Sequence, residues 1–522
     1  MSQWAVYPTD QFQASPAEMT DSLSSGNQER SRLGSLLFIP PLIGAGVSWM
    51  CGGAAVITDF SFLLFTVVCL ILLVAELRAM LRRWGIGGLT LYGGCLVWFC
   101  YDYIVHWVNA SSSFVALAGI DYQTLAKAAF YTILYAFSMS IGLNIRRPHW
   151  PERLLLKTPE LKSSSMQLWL ILVIFAIGIS PYFLFTAEPF YLAMYHQFLA
   201  GRGGIGPHWT VGRSGNVNYN FGAYVAQILQ VGSGGSVYAI LYAVLVAKNI
   251  FQKSISWAIW LLWLMLGIGT GTRGDVVASM LPLLAAIFLK YQSVAAVYAQ
   301  RVRLRTYILA AVALFLMLVI VQFQITYRTG GFTGAHVSEI STNISGNAMY
   351  SESLVAFKLI PDKSNYFHNA YYVEGILRTL PDQLYWFVVS PMPRAIWTSK
   401  PIDAAWAWYN QVVAHEANGT EGTTIATGGA AGWYIRYGPA GIVEGGLFVG
   451  WLMGFGERLL RQCSGRLILL LFVLGWETWL FRAFRGFGYN DLDALLVAFI
   501  PLCVLVVILN VFSGENSQPQ PA

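Results

Sequence analysis

The sequence predicts an all-α polytopic membrane protein with about 12 transmembrane helices and a large periplasmic loop. Only 11% of its 522 residues are charged, whereas about a quarter are charged in a typical soluble domain. Hydrophobic residues make up 56% of the chain, so most of its surface must face something other than water. The 19 Trp and 27 Tyr residues fit the aromatic belts at the two membrane interfaces.

A membrane-spanning helix needs roughly 20 mainly apolar residues. Twelve runs are candidates. They are 34–57, 60–77, 86–107, 124–143, 166–187, 219–247, 254–271, 275–290, 306–327, 432–454, 467–481 and 493–511. This pattern divides the chain into a disordered cytoplasmic tail (1–32), nine spans with a periplasmic loop near 188–218 (33–327), a large periplasmic loop (328–431), three spans (432–511) and a second cytoplasmic tail (512–522).

The positions of the basic residues predict the orientation. If the N-terminus is cytoplasmic, 19 of the 32 Lys and Arg residues fall on the inner side, mostly in short loops. Short cytoplasmic loops of membrane proteins carry such an excess. We therefore expect a multi-pass protein of the inner membrane with both termini in the cytoplasm. The formal net charge of +6 by itself suggests nucleic acid weakly, but this distribution along the loops argues against a nucleic-acid partner.

A second group of basic residues lies near the predicted outer face, where the same bias disfavours them. Its members are Arg273, Arg328, Arg394, Lys400, Arg436, Arg482 and Arg485. Each one alone could snorkel to the interface or pair with a nearby carboxylate. Together, from separate regions of the chain, they favour a shared anionic ligand. Guanidinium matches phosphate through bidentate hydrogen bonds, so the pattern indicates a lipid-linked pyrophosphate.

Acid–base candidates lie near the same face, namely Asp275, Asp403 and His415. General-base work needs a carboxylate or imidazole within hydrogen-bond reach of the acceptor hydroxyl, and a solvated loop residue is the alternative for each. Glu444, near the middle of the run 432–454, is predicted to face the bundle interior in a structural pair. The six cysteines lack zinc-ligand spacing and no Walker lysine motif occurs, so we expect neither a metal nor a cofactor.

Three segments resemble bacterial oligosaccharide repeat-unit polymerases, the Wzy-type O-antigen and exopolysaccharide polymerases, and they follow one another along the chain in the family's order. The turn Gly271-Thr272-Arg273-Gly274-Asp275 joins two spans as in that family. The stretch 393–401 is similar to the P-R-x-x-W-x-x-K-P segment of the family's large periplasmic loop. The glycine-rich run 428–441 resembles the family's approach to the next span. The resemblance covers roughly residues 270–455.

The resemblance implies a GT-C-like polymerase/ligase bundle that transfers a growing glycan from undecaprenyl pyrophosphate to a lipid-linked repeat unit. The basic residues near the outer face would then stabilise the negative charge on the leaving pyrophosphate. Trp397 and Tyr437 would stack on sugar faces, with interface anchoring as the alternative. The implied partners are the undecaprenyl-pyrophosphate-linked oligosaccharide, the lipid bilayer, and a chain-length regulator and flippase of the same pathway.

Three other functions fit the same observations, namely a ligase, a transporter, and a structural scaffold within an export complex. An O-antigen-type ligase would use the same donor with a different acceptor, and would transfer its glycan in a single step. A transporter or flippase of lipid-linked sugars would place its charges along a path open to both sides. The basic residues here gather at one predicted face, which favours an enzyme over a transporter.

Overall fold

The computed structural model describes residues 34–80, 86–101, 103, 121–145, 148–158, 160–161, 163–184, 192, 222–269, 273–295, 357, 379–389, 397, 428–463, 466–486 and 490–512. Within these ranges the chain forms helices and no strand. The helices are α1 (Ile39–Met50), α2 (Ala55–Met80), α3 (Gly87–Cys95), α4 (Tyr122–Leu143), α5 (Trp150–Leu155), α6 (Ser164–Ile179), α7 (Pro181–Leu184), α8 (Gly222–Leu245), α9 (Ile250–Gly269), α10 (Arg273–Ala295), α11 (Thr379–Val389), α12 (Gly429–Gln462), α13 (Leu467–Ala483) and α14 (Asn490–Phe512). A π-helical turn (Leu96–Cys100) continues α3.

Apolar helices of membrane-spanning length confirm the helical membrane-protein class. Six described segments are long and apolar enough to cross a bilayer, namely Ala55–Arg78, Tyr122–Leu143, Ser164–Leu184, Ile228–Leu245, Ile250–Ile268 and Leu495–Phe512. Shorter apolar helices cover Gly34–Met50, Gly87–Cys100 and Ser279–Lys290. The predicted span 306–327 and most of the loop 328–431 lie outside the described residues. The total of 12 spans therefore stays a prediction.

Polar contacts identify one end of the bundle, here called the Glu160 end. The Ser164 hydroxyl lies 2.7 Å from the Tyr242 hydroxyl, which joins the start of α6 to the end of α8. Asn510 Nδ2 donates to the Glu160 carbonyl oxygen at 3.3 Å, and this brings in the end of α14. Arg466, just before α13, also contacts Glu160.

The opposite end, here called the Gly428 end, holds the other termini of these helices. The amides of Gly428 and Gly429 donate to the carbonyl oxygens of Arg485 and Phe484, both at 2.7 Å, and so tie the start of α12 to the end of α13. Trp260 Nε1 donates to the Ser279 carbonyl oxygen at 3.0 Å, which pairs α9 with the first turns of α10. α10 therefore also begins at the Gly428 end.

The body of α12 packs closely on α4 through small residues. Gly446 and Gly450 face the backbone of Tyr135 and Met139 with no room for a Cβ atom, and Gly142 of α4 faces the backbone of Leu447 in the same way. Helices inside membranes commonly approach each other through such glycines, because no side chain keeps the backbones apart. This contact fixes α12, which carries most of the candidate site.

Arg466 links three segments at the Glu160 end. Its guanidinium donates to the carbonyl oxygens of Leu156 and Thr158 and, at 3.3 Å, to the Glu160 carboxylate. The same carboxylate accepts the backbone amide of Leu467 at 2.9 Å, at the N-terminus of α13. The arginine therefore satisfies carbonyl groups left free after α5 and holds the residue that caps α13.

Replacing Arg466 by alanine should lower the free energy of unfolding by about 1–3 kcal/mol, because two carbonyl groups and the Glu160 carboxylate lose their donors. The thermal unfolding midpoint of the purified protein measures this. Arg153→Ala is the matched control, since Arg153 lies exposed on α5 near the same end. Equal midpoints for the two variants would contradict a structural role for Arg466.

Candidate functional site

The first two turns of α12 fold back on the rest of the helix. Gly438 adopts φ 68° and ψ −158°, a non-helical conformation, and Pro439 follows it. The Trp433 ring lies against Gly445, and its centroid is 6.3 Å from that of Phe448. In a straight helix, residues 12 and 15 positions apart would be separated by about 18 and 22 Å. Residues 429–448 therefore form a sharp helical hairpin with its tip at Gly438, here called the α12 hairpin.

The α12 hairpin is fixed at its base and near its tip. At the base, the two glycine amides bond the end of α13, as described above. Near the tip, the Tyr437 hydroxyl donates to the Asp382 carboxylate and accepts from Gln383 Nε2 at 2.5 Å. These contacts connect α11 and α13 through the hairpin. The run 432–454 is a predicted span, and irregular backbone inside a span is tolerated where it is buried in protein or lines a cavity. This hairpin is therefore a candidate functional element.

Tyr437 is 4% exposed, and its hydroxyl joins α12 to α11 in this arrangement. Its predicted stacking on a sugar stays a prediction, as does that of Trp397, which is partly buried. Trp433 is completely buried against α4 and the body of α12. Its burial makes it part of the packing of the hairpin.

Lys127 is a buried cation that the sequence pattern did not predict as part of the site. It lies in the second turn of α4, is 6% exposed, and its ammonium is 5.4 Å from the centroid of the Tyr434 ring. Tyr434 in turn contacts Tyr131 and Phe357, with centroid distances of 5.0 and 5.6 Å. The available signal was a single lysine near the start of the predicted span 124–143. A charge so placed in a membrane segment suggests a functional site.

Four of the predicted pyrophosphate-binding residues belong to elements that meet at the Gly428 end. Arg436 lies on the α12 hairpin and is partly buried. Arg482 is partly buried in the last turn of α13, and Arg485 is exposed just beyond it. Arg273 is the first residue of α10. The structure thus brings their backbone positions to one end of the bundle, while their convergence on one ligand stays a prediction.

The other predicted site residues fall outside the described part of the chain. These are Arg328, Arg394, Lys400, Asp403 and His415, together with the side chains of Arg273 and Asp275. Asp275 belongs to the first turn of α10 by its backbone. Among the described residues, no group of three or more His, Cys, Asp or Glu side chains is arranged to hold a metal ion.

Glu444, in the body of α12 beyond the hairpin tip, has a carboxylate whose two oxygens are both buried and without a hydrogen-bond partner among the described residues. The internal pair predicted for it is therefore not present in this part of the chain. The predicted span 432–454 also treated residues 432–437 as part of one continuous helix. Because the helix reverses at Gly438, Glu444 lies close to the tip rather than at mid-span.

Comparison of the chain with known protein families, with curated proteins and with solved structures finds no match in any of the three.

The close contact between Trp433 and Gly445 leaves no space for a side chain at position 445. Gly445→Ala should lower the free energy of unfolding by about 1–3 kcal/mol, because the added methyl group overlaps the indole ring and both surrounding helices are closely packed. Thermal unfolding of the purified protein is the measurement. Gly93→Ala is the control, since the nearest atom to a Cβ there, Leu73 Cδ1, is 3.9 Å away. A Gly445→Ala variant as stable as the control would contradict the hairpin geometry.

Proposed function

We propose that the protein polymerises undecaprenyl-pyrophosphate-linked oligosaccharide repeat units into a surface polysaccharide or exopolysaccharide. The reaction would take place at the periplasmic face of the bacterial inner membrane, in a bundle of about 12 spans with a large periplasmic loop. A hydroxyl oxygen of the acceptor sugar attacks the anomeric carbon of the donor glycan and forms the new glycosidic bond, and its proton passes to a general base, for which Asp275, Asp403 and His415 are the candidates. The bond between the donor glycan and its pyrophosphate breaks, and the electron pair leaves with undecaprenyl pyrophosphate.

One observation carries this proposal: partly buried arginines from two separate chain segments, Arg436 and Arg482, belong to elements bonded together at the Gly428 end. Arginine is the side chain best matched to a diphosphate. A partly dry site strengthens each interaction with the charge that develops on the leaving group. Lys127 adds a third cation at the same end of the bundle.

The three motifs described above supply the second line of support. Two of them include described residues at the Gly428 end: the last three residues of the 271–275 motif begin α10, and the glycine-rich run 428–441 begins α12. The run 428–441 forms the first arm and the tip of the α12 hairpin, so the segment that resembles the polymerases is also the one with irregular backbone.

Incubation of the purified, detergent-solubilised protein with a lipid-linked repeat unit tests the proposal. The expected product is a ladder of glycans that differ by one repeat unit, resolved on a gel. Transfer of a single glycan to another acceptor would indicate a ligase instead. Unchanged substrate, with movement of the lipid across proteoliposome membranes, would indicate a transporter.

A further inference from the structure

The carboxylate of Glu444 is a buried acceptor that has no donor among the residues described here. Both oxygens are shielded from solvent, and neither is hydrogen bonded within the described part of the chain. Its neighbours one turn away on α12, Ala440 and Phe448, are apolar. A carboxylate in such surroundings is costly unless something donates to it or neutralises it. Within the described part of the chain, the carboxylate is therefore unsatisfied at a position where a leucine would be less costly.

The position of Glu444 connects it to the α12 hairpin. It lies six residues beyond the tip at Gly438, a distance of about 9 Å along the helix axis. The Trp433 ring packs against its neighbour Gly445, and Phe448 contacts the same ring. The arm that folds back beside this part of α12 bears Arg436. Glu444 thus belongs to the Gly428 end.

The chemistry of the Glu444 carboxylate limits the kinds of ligand that could bind to it. A divalent cation requires several oxygen or nitrogen ligands, and no cluster of three candidate ligands occurs among the described residues. Two acceptor oxygens without donors match a ligand that offers hydroxyl groups. Sugars present such groups in pairs on adjacent carbons, and each oxygen of a carboxylate can accept one of them.

We infer that Glu444 accepts hydrogen bonds from hydroxyl groups of the glycan nearest the pyrophosphate, and so distinguishes a sugar-bearing lipid from the bare carrier. This inference rests on the proposed function. It adds a polar residue on α12 that would recognise the glycan to a site whose predicted sugar-binding residues are aromatic and whose predicted pyrophosphate-binding residues are cations. Arg436 and Arg482 would hold the diphosphate, and Glu444 would hold the first sugar.

The test is a binding comparison on the full-length protein in nanodiscs with two probes. One probe is undecaprenyl pyrophosphate, and the other is the same lipid bearing N-acetylglucosamine. We expect Glu444→Gln to weaken binding of the sugar-bearing probe about tenfold or more, the size of a lost charge-assisted hydrogen bond, and to leave the bare lipid unaffected. Glu457→Gln, at the other end of α12, is the control and should bind both probes like the wild type.

The outcomes separate this inference from the proposed function. If the wild type binds neither probe, both fail. If it binds both probes and Glu444→Gln weakens neither or both equally, the inference alone is overturned. Thermal unfolding of the ligand-free protein gives an independent measurement. Glu444→Gln should raise the midpoint or leave it unchanged if the carboxylate is unsatisfied, whereas a lowered midpoint would show a structural pair and overturn the inference.

Discussion

Replacing Arg436 by alanine is expected to lower the rate of glycan polymerisation at least about a hundredfold. Loss of one fixed donor to charge that develops in a transition state typically slows an enzyme by a factor of about 100–1,000. Arg436 is partly buried on the α12 hairpin, so in the alanine variant water would be a poor substitute for the lost guanidinium donors. The rate of ladder formation with a lipid-linked repeat unit measures the effect.

Two further variants make the Arg436 result specific. Arg436→Lys keeps the charge but loses the planar fork of donors, so it should recover only part of the rate. Arg153→Ala removes an exposed arginine on α5 near the Glu160 end and should keep the wild-type rate. Full activity of Arg436→Ala would contradict the proposed role of Arg436 in stabilising the leaving pyrophosphate.

Replacing Gly438 by alanine is expected to have the second large effect. With φ 68° and ψ −158°, Gly438 occupies a region that residues with a Cβ atom avoid at a cost of about 1–3 kcal/mol. The substitution should therefore lower the thermal unfolding midpoint. It should also lower the polymerisation rate per folded molecule, because the arm that carries Arg436 leaves its position.

The control for Gly438→Ala is again Gly93→Ala. Gly93 is a helical glycine with space for a methyl group, and alanine there should be neutral or stabilising by up to about 1 kcal/mol. Gly93 lies within the regular helix α3, whereas Gly438 has a positive φ. A Gly438→Ala variant with wild-type stability and rate would show that the turn at the tip does not depend on glycine.

The helical class could be predicted because the bilayer imposes it. A spanning segment must satisfy its own backbone, so its length and hydropathy are visible in the sequence. The predicted run 124–143 matches α4 (Tyr122–Leu143), and 467–481 matches α13 (Leu467–Ala483), to within two residues at each end. Such agreement is expected where an apolar run ends in polar residues.

The α12 hairpin could not be predicted in the same way. Hydropathy over 432–454 is continuous across the Gly438-Pro439 pair, and that pair fits a kink as well as a reversal. The reversal depends on contacts far along the chain, since α13 holds the base of the hairpin and Asp382 holds Tyr437. Average hydropathy carries no information on either contact.

The site could be predicted only in part for a related reason. Arg436, Arg482 and Arg485 stood out because basic residues are unusual near the predicted outer face. The lack of a donor to Glu444 among the described residues could not be predicted, because the sequence shows a carboxylate but not which donors come near it. Lys127 was overlooked because one lysine at the start of a span resembles an ordinary interface residue.

An experimental structure of the protein in nanodiscs with bound undecaprenyl pyrophosphate is the most direct test of the account. It should place the diphosphate at the Gly428 end, with guanidinium nitrogens of Arg436 and Arg482 within hydrogen-bond distance of its oxygens. A headgroup bound elsewhere, with each of these arginines paired to its own carboxylate, would contradict the account.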